Sequence, residues 1–207
     1  NKYQVWIHSK FNVNQKIYNF PINIIKNKIK TNNKSDISIV KATIQLFKES
    51  IENNDKARIF IFCSQNCIPL YDFNFYYNLM LNLEKSIISC INFNSKNRYY
   101  DLHPYIRNLI LYDDFVKQQP NMLLIKDDVE LILKNDFTEY FSNLQCPDEH
   151  YFINLLLNIY KKNIIKSQTH FCNFDLSKTQ ALNFKNLNES FINDIKNKGF
   201  LFMRKVF

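Results

Sequence analysis

The stretch Arg58-Ile59-Phe60-Ile61-Phe62-Cys63 decides the fold class, because it is a continuous apolar run of strand length. A run without polar alternation is typical of a central parallel strand that is covered on both faces. The preceding segment 38–51 places its apolar side chains at helical spacing, and Asp36 or Ser38 is available to cap it. Helix, short loop and buried strand together predict an α/β fold, with a mostly parallel Rossmann-like central sheet flanked by helices.

The rest of the chain continues this pattern. We predict helices over 73–83, 127–133 and 148–161, and strands over 3–7, 87–93, 121–125, 169–174 and 200–204. The segment 94–120 is aromatic and irregular and gives no clear pattern. Because the sequence shows neither an internal repeat nor an interior linker, we expect a single domain over residues 1–207.

Composition excludes several classes of protein. With 46% hydrophobic and 15% aromatic residues the chain is globular, and its one glycine argues against glycine-rich phosphate loops. The net charge of +8 suits anionic partners, such as nucleotide diphosphates or nucleic acid. The lysines lie scattered among asparagines without interleaved aromatic residues, which favours an ordinary solvated surface. A basic nucleic-acid-binding domain remains an alternative.

The cysteines and the apolar segments indicate which disulfides, metal sites and membrane segments the chain can have. Five dispersed cysteines are most simply explained as buried free thiols, although the spacing of Cys63, Cys67, Cys146 and His150 leaves a zinc site open. We expect Cys63 to lie inside its strand and to point away from Cys67. The sequence contains no apolar run of membrane-spanning length and no signal peptide. Because it starts with Asn1, we expect any membrane anchor or targeting segment to lie outside it.

Two segments carry polar groups at positions suited to chemistry. Cys146-Pro147-Asp148-Glu149-His150-Tyr151 places two acids and a histidine at the start of an apolar helix. Ser64-Gln65-Asn66-Cys67-Ile68-Pro69-Leu70-Tyr71 forms a polar turn after the buried strand, where open α/β sheets bind ligands. From spacing alone, both acids are more simply interpreted as helix caps.

These segments resemble signatures of the core-2/I-branching β-1,6-N-acetylglucosaminyltransferase family, in particular its plant-type branch. The turn 64–70 is similar to the family's "serine, any, any, cysteine, isoleucine, proline, leucine" segment, and Asn97-Arg98-Tyr99 looks like its Arg-Tyr step. Leu201-Phe202-Met203-Arg204-Lys205-Val206-Phe207 tracks the plant-type ending. The order and spacing of these pieces extend the resemblance over most of the chain.

The resemblance implies a GT-A-like fold and an inverting transfer of a sugar, with N-acetylglucosamine moving from a UDP-sugar to a glycan or glycoprotein hydroxyl. It assigns Glu149 as the catalytic base. The other implied roles are donor diphosphate binding by Lys205 and Arg204, acceptor binding by Arg98 and Phe174, and support of the site by Ser64, Cys67, Asp148 and His150.

The resemblance also bears on cofactors and location. The chain has no Asp-x-Asp motif, and its nearest substitute, Asp128-Val129-Glu130, falls inside a predicted helix. The family works without metal, so we expect no metal and no cofactor besides the UDP-sugar donor substrate. We expect no nucleic-acid partner, and the family implies a Golgi or other secretory membrane.

Two departures from the family pattern qualify these expectations. The family segment Trp-x-Lys-Gly-Ser-Gln-Trp survives only as Phe115-Val116-Lys117-Gln118-Gln119-Pro120-Asn121. The family strand that precedes the one matching 3–7 has no counterpart, so we expect that it lies upstream or that the sheet is shortened. A catalytically inactive carbohydrate-binding relative is therefore the other alternative.

Overall fold

The computed structural model describes residues 3–9, 13, 21–32, 36–91, 96–175, 180–184 and 187–206, without the side chains of 96, 174, 175, 180 and 181. The helices are α1 (Ser38–Asn53), α2 (Phe73–Leu81), α3 (Pro104–Arg107), α4 (Lys126–Lys134), α5 (Tyr151–Asn154) and α6 (Glu189–Asn197). The strands are β1 (Val5–Ile7), β2 (Ile22–Ile24), β3 (Ile59–Phe62), β4 (Cys67–Pro69), β5 (Ile87–Ile91), β6 (Lys117–Ile125), β7 (His170–Cys172), β8 (Phe174–Asp175), β9 (Gln180–Ala181) and β10 (Phe202–Arg204). The predicted α/β class is confirmed.

The strand directions differ from the prediction. The central sheet has the order β3-β6-β5, and β6 is antiparallel to both of its neighbours. A second sheet, in the order β4-β10-β7, pairs β10 antiparallel with β4 and parallel with β7, while β1 and β2 form a parallel pair. The expectation of a mostly parallel central sheet was therefore wrong for the described strands. An apolar run indicates that both faces of a strand are buried, but it does not predict the direction of the neighbouring strand.

The core lies around the centre of β6. Met122, Leu123 and Leu124 are fully buried there, and α1 and α4 pack on the central sheet. The ring of Phe47 on α1 meets Phe60 on β3 edge-on at 6.1 Å. This packing explains the apolar face that the sequence placed on α1.

The irregular segment between β5 and β6 contains short helical turns and the start of β6. A 3₁₀ turn at Lys96–Asp101, helix α3 and a second 3₁₀ turn at Tyr112–Asp114 lead into β6, which begins before Pro120 rather than after it. Proline has no N–H to donate to a neighbouring strand. The pairing of β5 with β6 accordingly shifts register between Ile88 and Cys90.

The helix predicted over 148–161 is broken into three pieces. A 3₁₀ turn at Pro147–Glu149 is followed by α5 and then by a π-helical turn at Leu155–Ile159. Cys146, just before Pro147, has a φ of +55°, so the chain turns sharply where a regular helix would begin. The break places Glu149 on a turn instead of on a helix face. Within the described part of the chain, no helix has the length and apolar character needed to cross a membrane.

Candidate active site

Glu149 lies in an ion-pair cluster at the 3₁₀ turn before α5. Its Oε2 accepts from Arg98 Nη1 at 2.9 Å and lies 3.0 Å from Lys117 Nζ. The side chains of Glu149, Arg98 and Lys117 are 25%, 19% and 16% exposed, so the carboxylate is reachable from solvent while its partners are more enclosed. Oε1 takes part in neither ion pair.

Buried amides fix the strand that carries Lys117. The side chain of Asn154 on α5 accepts from Val116 N at 3.0 Å and donates to Val116 O at 2.7 Å. Gln118 Oε1 accepts from Ile153 N at 2.7 Å. Lys117, between these two anchored residues, is therefore held at the turn that carries Glu149.

His150 packs behind the ion pairs. It is 1% exposed, and its ring stacks on Phe115 at 4.7 Å. Its Nδ1 lies 3.0 Å from Val116 O, and because a carbonyl oxygen only accepts, Nδ1 carries the proton. Nε2 is then an acceptor and lies 3.4 Å from Arg98 Nη1. Burial, assisted by the charge of Arg98, lowers the pKa of His150 to about 4, so the ring is neutral at neutral pH and helps to orient the guanidinium.

Asp148 lies within electrostatic range of Arg204 on the C-terminal strand. Burial and the charge of Glu149 raise the pKa of Asp148 to about 6, while Lys117 and Arg204 act in the opposite direction. Its Oδ1 is buried without a hydrogen-bond partner among the described residues, and Arg204 Nε is in the same condition. Buried polar atoms are nearly always paired, so these two atoms are exceptions that set this part of the protein apart from the rest of the core.

The C-terminal strand lies against the polar turn that follows β3. Arg204 on β10 pairs with Cys67 on β4 and with Cys172 on β7. Just beyond it, Val206 N donates to Asn66 O at 3.1 Å. The structure thus brings together the two ends of the predicted site that are furthest apart in the sequence.

The thiols around this turn form a hydrogen-bonded group. Ser64 Oγ lies 3.2 Å from Cys67 Sγ, and Cys63 Sγ lies 3.6 Å from His170 Nε2. The hydrogen bond between the two thiols lowers the pKa of Cys67 and raises that of Cys63. The expectation that Cys63 points away from Cys67 was wrong, because β3 ends at Phe62 and Cys63 already belongs to the turn.

The remaining predicted residues belong to other parts of the fold or lie outside the described residues. Lys205 follows β10, and its backbone oxygen accepts from Phe184 N at 2.8 Å. Its side chain is partly buried, and its charge acts on Cys172 together with that of Arg204. The backbone of Phe174 lies in β8, but its side chain is outside the described residues. No three His, Cys, Asp or Glu side chains of the described ranges converge in a way that suits a metal ion.

Sequence reasoning missed Lys117 as a member of the site. The residue belongs to the segment that was interpreted only as a departure from the family pattern. Phe115-Val116-Lys117 nevertheless keeps an aromatic residue and a lysine two positions apart, as in the family's Trp-x-Lys. This spacing could have predicted that Lys117 belongs to the site.

A pocket of about 200 Å³ opens beyond the parallel strands β1 and β2. His8 and Ser9 follow β1, and Lys28 to Thr31 line the opposite side. His8 Nε2 accepts from Ile29 N at 3.1 Å, which fixes the ring at the pocket wall. Helix α1 packs against β1 and against the turn that carries Glu149. The lining of the pocket includes Lys28 and Lys30, whose positive charge suits an anionic ligand.

The family model described as Core-2/I-Branching enzyme matches residues 1–197. The match includes the turn with Glu149 and its cationic partners, and it ends before β10. No curated protein matches the chain.

Proposed function

Because the chain belongs to the core-2/I-branching enzyme family, whose members are glycosyltransferases that take a nucleotide-sugar donor and a glycan acceptor, we propose that it transfers N-acetylglucosamine from UDP-N-acetylglucosamine to a glycan hydroxyl. The proposal includes inversion at the anomeric carbon and independence from metal. The observation that carries it is the carboxylate of Glu149, which two cations hold at a partly open turn.

We assign Glu149 as the general base. Arg98 and Lys117 both hold Oε2, so we assign Oε1 to the proton of the acceptor hydroxyl. The acceptor oxygen attacks the anomeric carbon as the bond to the UDP oxygen breaks on the opposite face. The hydroxyl proton passes to Glu149, and UDP leaves with the electron pair of the broken bond. One displacement of this kind inverts the configuration.

Arg204 and Lys205 are assigned to the leaving diphosphate. A guanidinium binds phosphate oxygens in a bidentate manner, and an ammonium adds a compact positive charge. Arg204 Nε lacks a described partner and lies within electrostatic range of Asp148, beside the base. Fixed cations at the leaving oxygen stabilise the charge that develops there, which is the role that a metal has in other enzymes.

The pocket at His8 is assigned to the nucleotide end of the donor. Its lining offers Lys28 and Lys30 to an anionic ligand, and its place beyond two parallel strands is where α/β sheets bind nucleotides. We assign Asp148, the neighbour of Glu149 and within electrostatic range of Arg204, to the middle of the donor.

The first test replaces the base. Glu149→Gln keeps the shape of the side chain and removes its ability to accept a proton, so we expect transfer to fall by at least about 100-fold. The affinity for UDP, measured by calorimetry, should change little. Glu139→Gln, at an exposed position of another 3₁₀ turn, is the matched control and should transfer sugar at the wild-type rate.

The results that contradict the proposal are specific. If Glu149→Gln transfers sugar at the wild-type rate, Glu149 is not the base. Loss of transfer after treatment with a chelator would contradict independence from metal. A wild-type protein that binds glycans but neither cleaves nor transfers from any UDP-sugar would be the inactive carbohydrate-binding relative.

A further inference from the structure

Residues 100–112 present an exposed apolar surface next to Arg98. Tyr100 is 62% exposed and Tyr112 is 38% exposed. Their rings lie 5.8 Å apart with an angle of 37° between their planes. We call this pair the tyrosine platform.

A buried residue supports the tyrosine platform from below. The ring of Tyr99 meets Tyr100 edge-on at 5.7 Å and Tyr112 edge-on at 5.4 Å. Tyr99 is itself buried, and its hydroxyl donates to Ile110 O at 2.9 Å. The platform is therefore held in place before any ligand arrives, which reduces the entropy lost on binding.

The same buried layer reaches the catalytic cluster. Tyr99 packs on Phe115 at 5.8 Å, and Phe115 stacks on His150 at 4.7 Å. Arg98, the neighbour of Tyr99 in the chain, bonds to Glu149 at 2.9 Å. One layer of contacting rings thus connects the tyrosine platform with the site assigned to the base.

From this continuity we propose that the tyrosine platform binds the acceptor glycan, by stacking under a sugar unit other than the one that receives the new sugar. The inference rests on the proposed sugar transfer and extends it to the acceptor. A pyranose ring presents C–H bonds on its faces and hydroxyls at its edge, which match the apolar faces and the phenolic hydroxyls of exposed tyrosines. The exposed Leu109 and Leu111 widen the surface, and a protein partner is the competing occupant that the test must separate.

The test compares two double variants. Tyr100→Ser with Tyr112→Ser removes the platform. Tyr3→Ser with Phe73→Ser removes a second exposed aromatic pair, whose rings lie 5.0 Å apart at 43°, and is the matched control. An array of immobilised oligosaccharides selects the glycan that the wild type binds best. Affinities for this glycan and for its disaccharide truncation are then measured without donor.

We expect the platform variant to bind the long oligosaccharide about tenfold more weakly and the disaccharide as the wild type does. The control variant should bind both as the wild type does. Melting temperatures should stay close to that of the wild type, because the removed rings are exposed. If the wild type binds no oligosaccharide more tightly than its disaccharide truncation, the platform is overturned.

The remaining outcomes separate this inference from the proposed function. If the wild type transfers sugar and the platform variant keeps its affinity for the long oligosaccharide, the tyrosine platform does not bind the glycan. The proposed transfer is then unaffected. If the variant loses that affinity while the wild type transfers no sugar, the tyrosine platform binds glycan but not as an acceptor site, and the proposed transfer is disproved. A wild type that sediments as a dimer and a variant that sediments as a monomer, with equal glycan affinities, would make the surface a contact between copies and overturn the proposal.

Discussion

Lys117 helps to hold the carboxylate of the proposed base. It shares Glu149 Oε2 with Arg98, and both cations are more enclosed than the carboxylate. Without Lys117 the carboxylate is oriented by Arg98 alone, so Oε1 is held less firmly for the acceptor hydroxyl. We therefore expect Lys117→Met to lower kcat/KM for sugar transfer by about tenfold, and Lys117→Arg, which keeps the charge, to restore most of it.

A matched lysine checks that the effect is local. Lys126 forms an ion pair with Glu130 at 3.6 Å and donates to Asp55 O at 2.7 Å, so Lys126→Met removes the same charge from the molecule far from Glu149 in the sequence. Its kcat/KM should equal that of the wild type. If Lys117→Met transfers sugar as fast as the wild type, or if Lys117→Arg is as slow as Lys117→Met, Lys117 does not position the base.

The secondary structure elements differ in how far the sequence predicts them. The spacing of apolar residues predicted α1, because this helix shows one face to the core, and α2 and α4 were also predicted within a few residues of their observed bounds. Strand β6 was predicted only from residue 121, since Pro120 is a strand breaker in isolation but lies at a register shift here. The broken helix after Glu149 depends on contacts of Asn154 with residue 116, which no local pattern contains.

The residues of the candidate site also differ in how far the sequence predicts them. Its acidic turn and its C-terminal cations stand out in the sequence, because motifs with fixed spacing carry them. The ion pair between Glu149 and Lys117 joins a turn to a strand from another part of the chain, and only tertiary packing creates it. Arg204 and Cys67 likewise meet through the pairing of β10 with β4.

Helix α1 also forms hydrogen bonds with the loop that leads to the pocket at His8. Its Glu49 is buried and accepts from Lys26 N at 2.7 Å and from Asn27 N at 2.9 Å. Burial raises the pKa of Glu49, but these hydrogen bonds outweigh it and the pKa is lowered overall. Glu49→Ala leaves the N–H groups of two exposed residues without their acceptor, and water can replace it in part, so we expect a loss of about 1 kcal/mol in the free energy of unfolding at pH 7.

The pH dependence of the free energy of unfolding tests whether the ionised carboxylate of Glu49 is the source of this stability. A carboxyl with a lowered pKa in the folded state contributes stability above its unfolded pKa, and this contribution is lost as the pH falls through the folded value. Urea unfolding should therefore show wild type and Glu49→Ala converging in acid. Glu52→Ala, one turn further along α1 and exposed, should match the wild type at every pH. A difference between wild type and Glu49→Ala that does not change with pH would show that the ionised carboxylate is not the source.

In the molecule as a whole, the turn at Glu149 joins the central sheet to the C-terminal sheet through buried titratable groups. Asp148 has a pKa raised to about 6, so its contribution to stability is complete below its unfolded pKa and is lost as the pH rises through 6. His150 has a pKa lowered to about 4, so its contribution is complete above its unfolded pKa and is lost as the pH falls through 4. Between about pH 4 and pH 6.5 the two contributions change in opposite directions and partly cancel.

Replacing Asp148 by Asn separates the two contributions, because Asn does not ionise. We expect the difference in the free energy of unfolding, Asp148→Asn minus wild type, to rise from near zero at pH 4 to as much as about 3 kcal/mol at pH 7. Chemical denaturation across this range measures it, with Asp127→Asn, at an exposed position, as the control for loss of a carboxylate. A constant difference for Asp148→Asn would mean that its carboxyl ionises normally in the folded protein. A rising difference would show that the folded protein keeps an ionisable Asp148 at a cost in stability, next to the proposed base Glu149 and within electrostatic range of Arg204, as expected of residues retained for function.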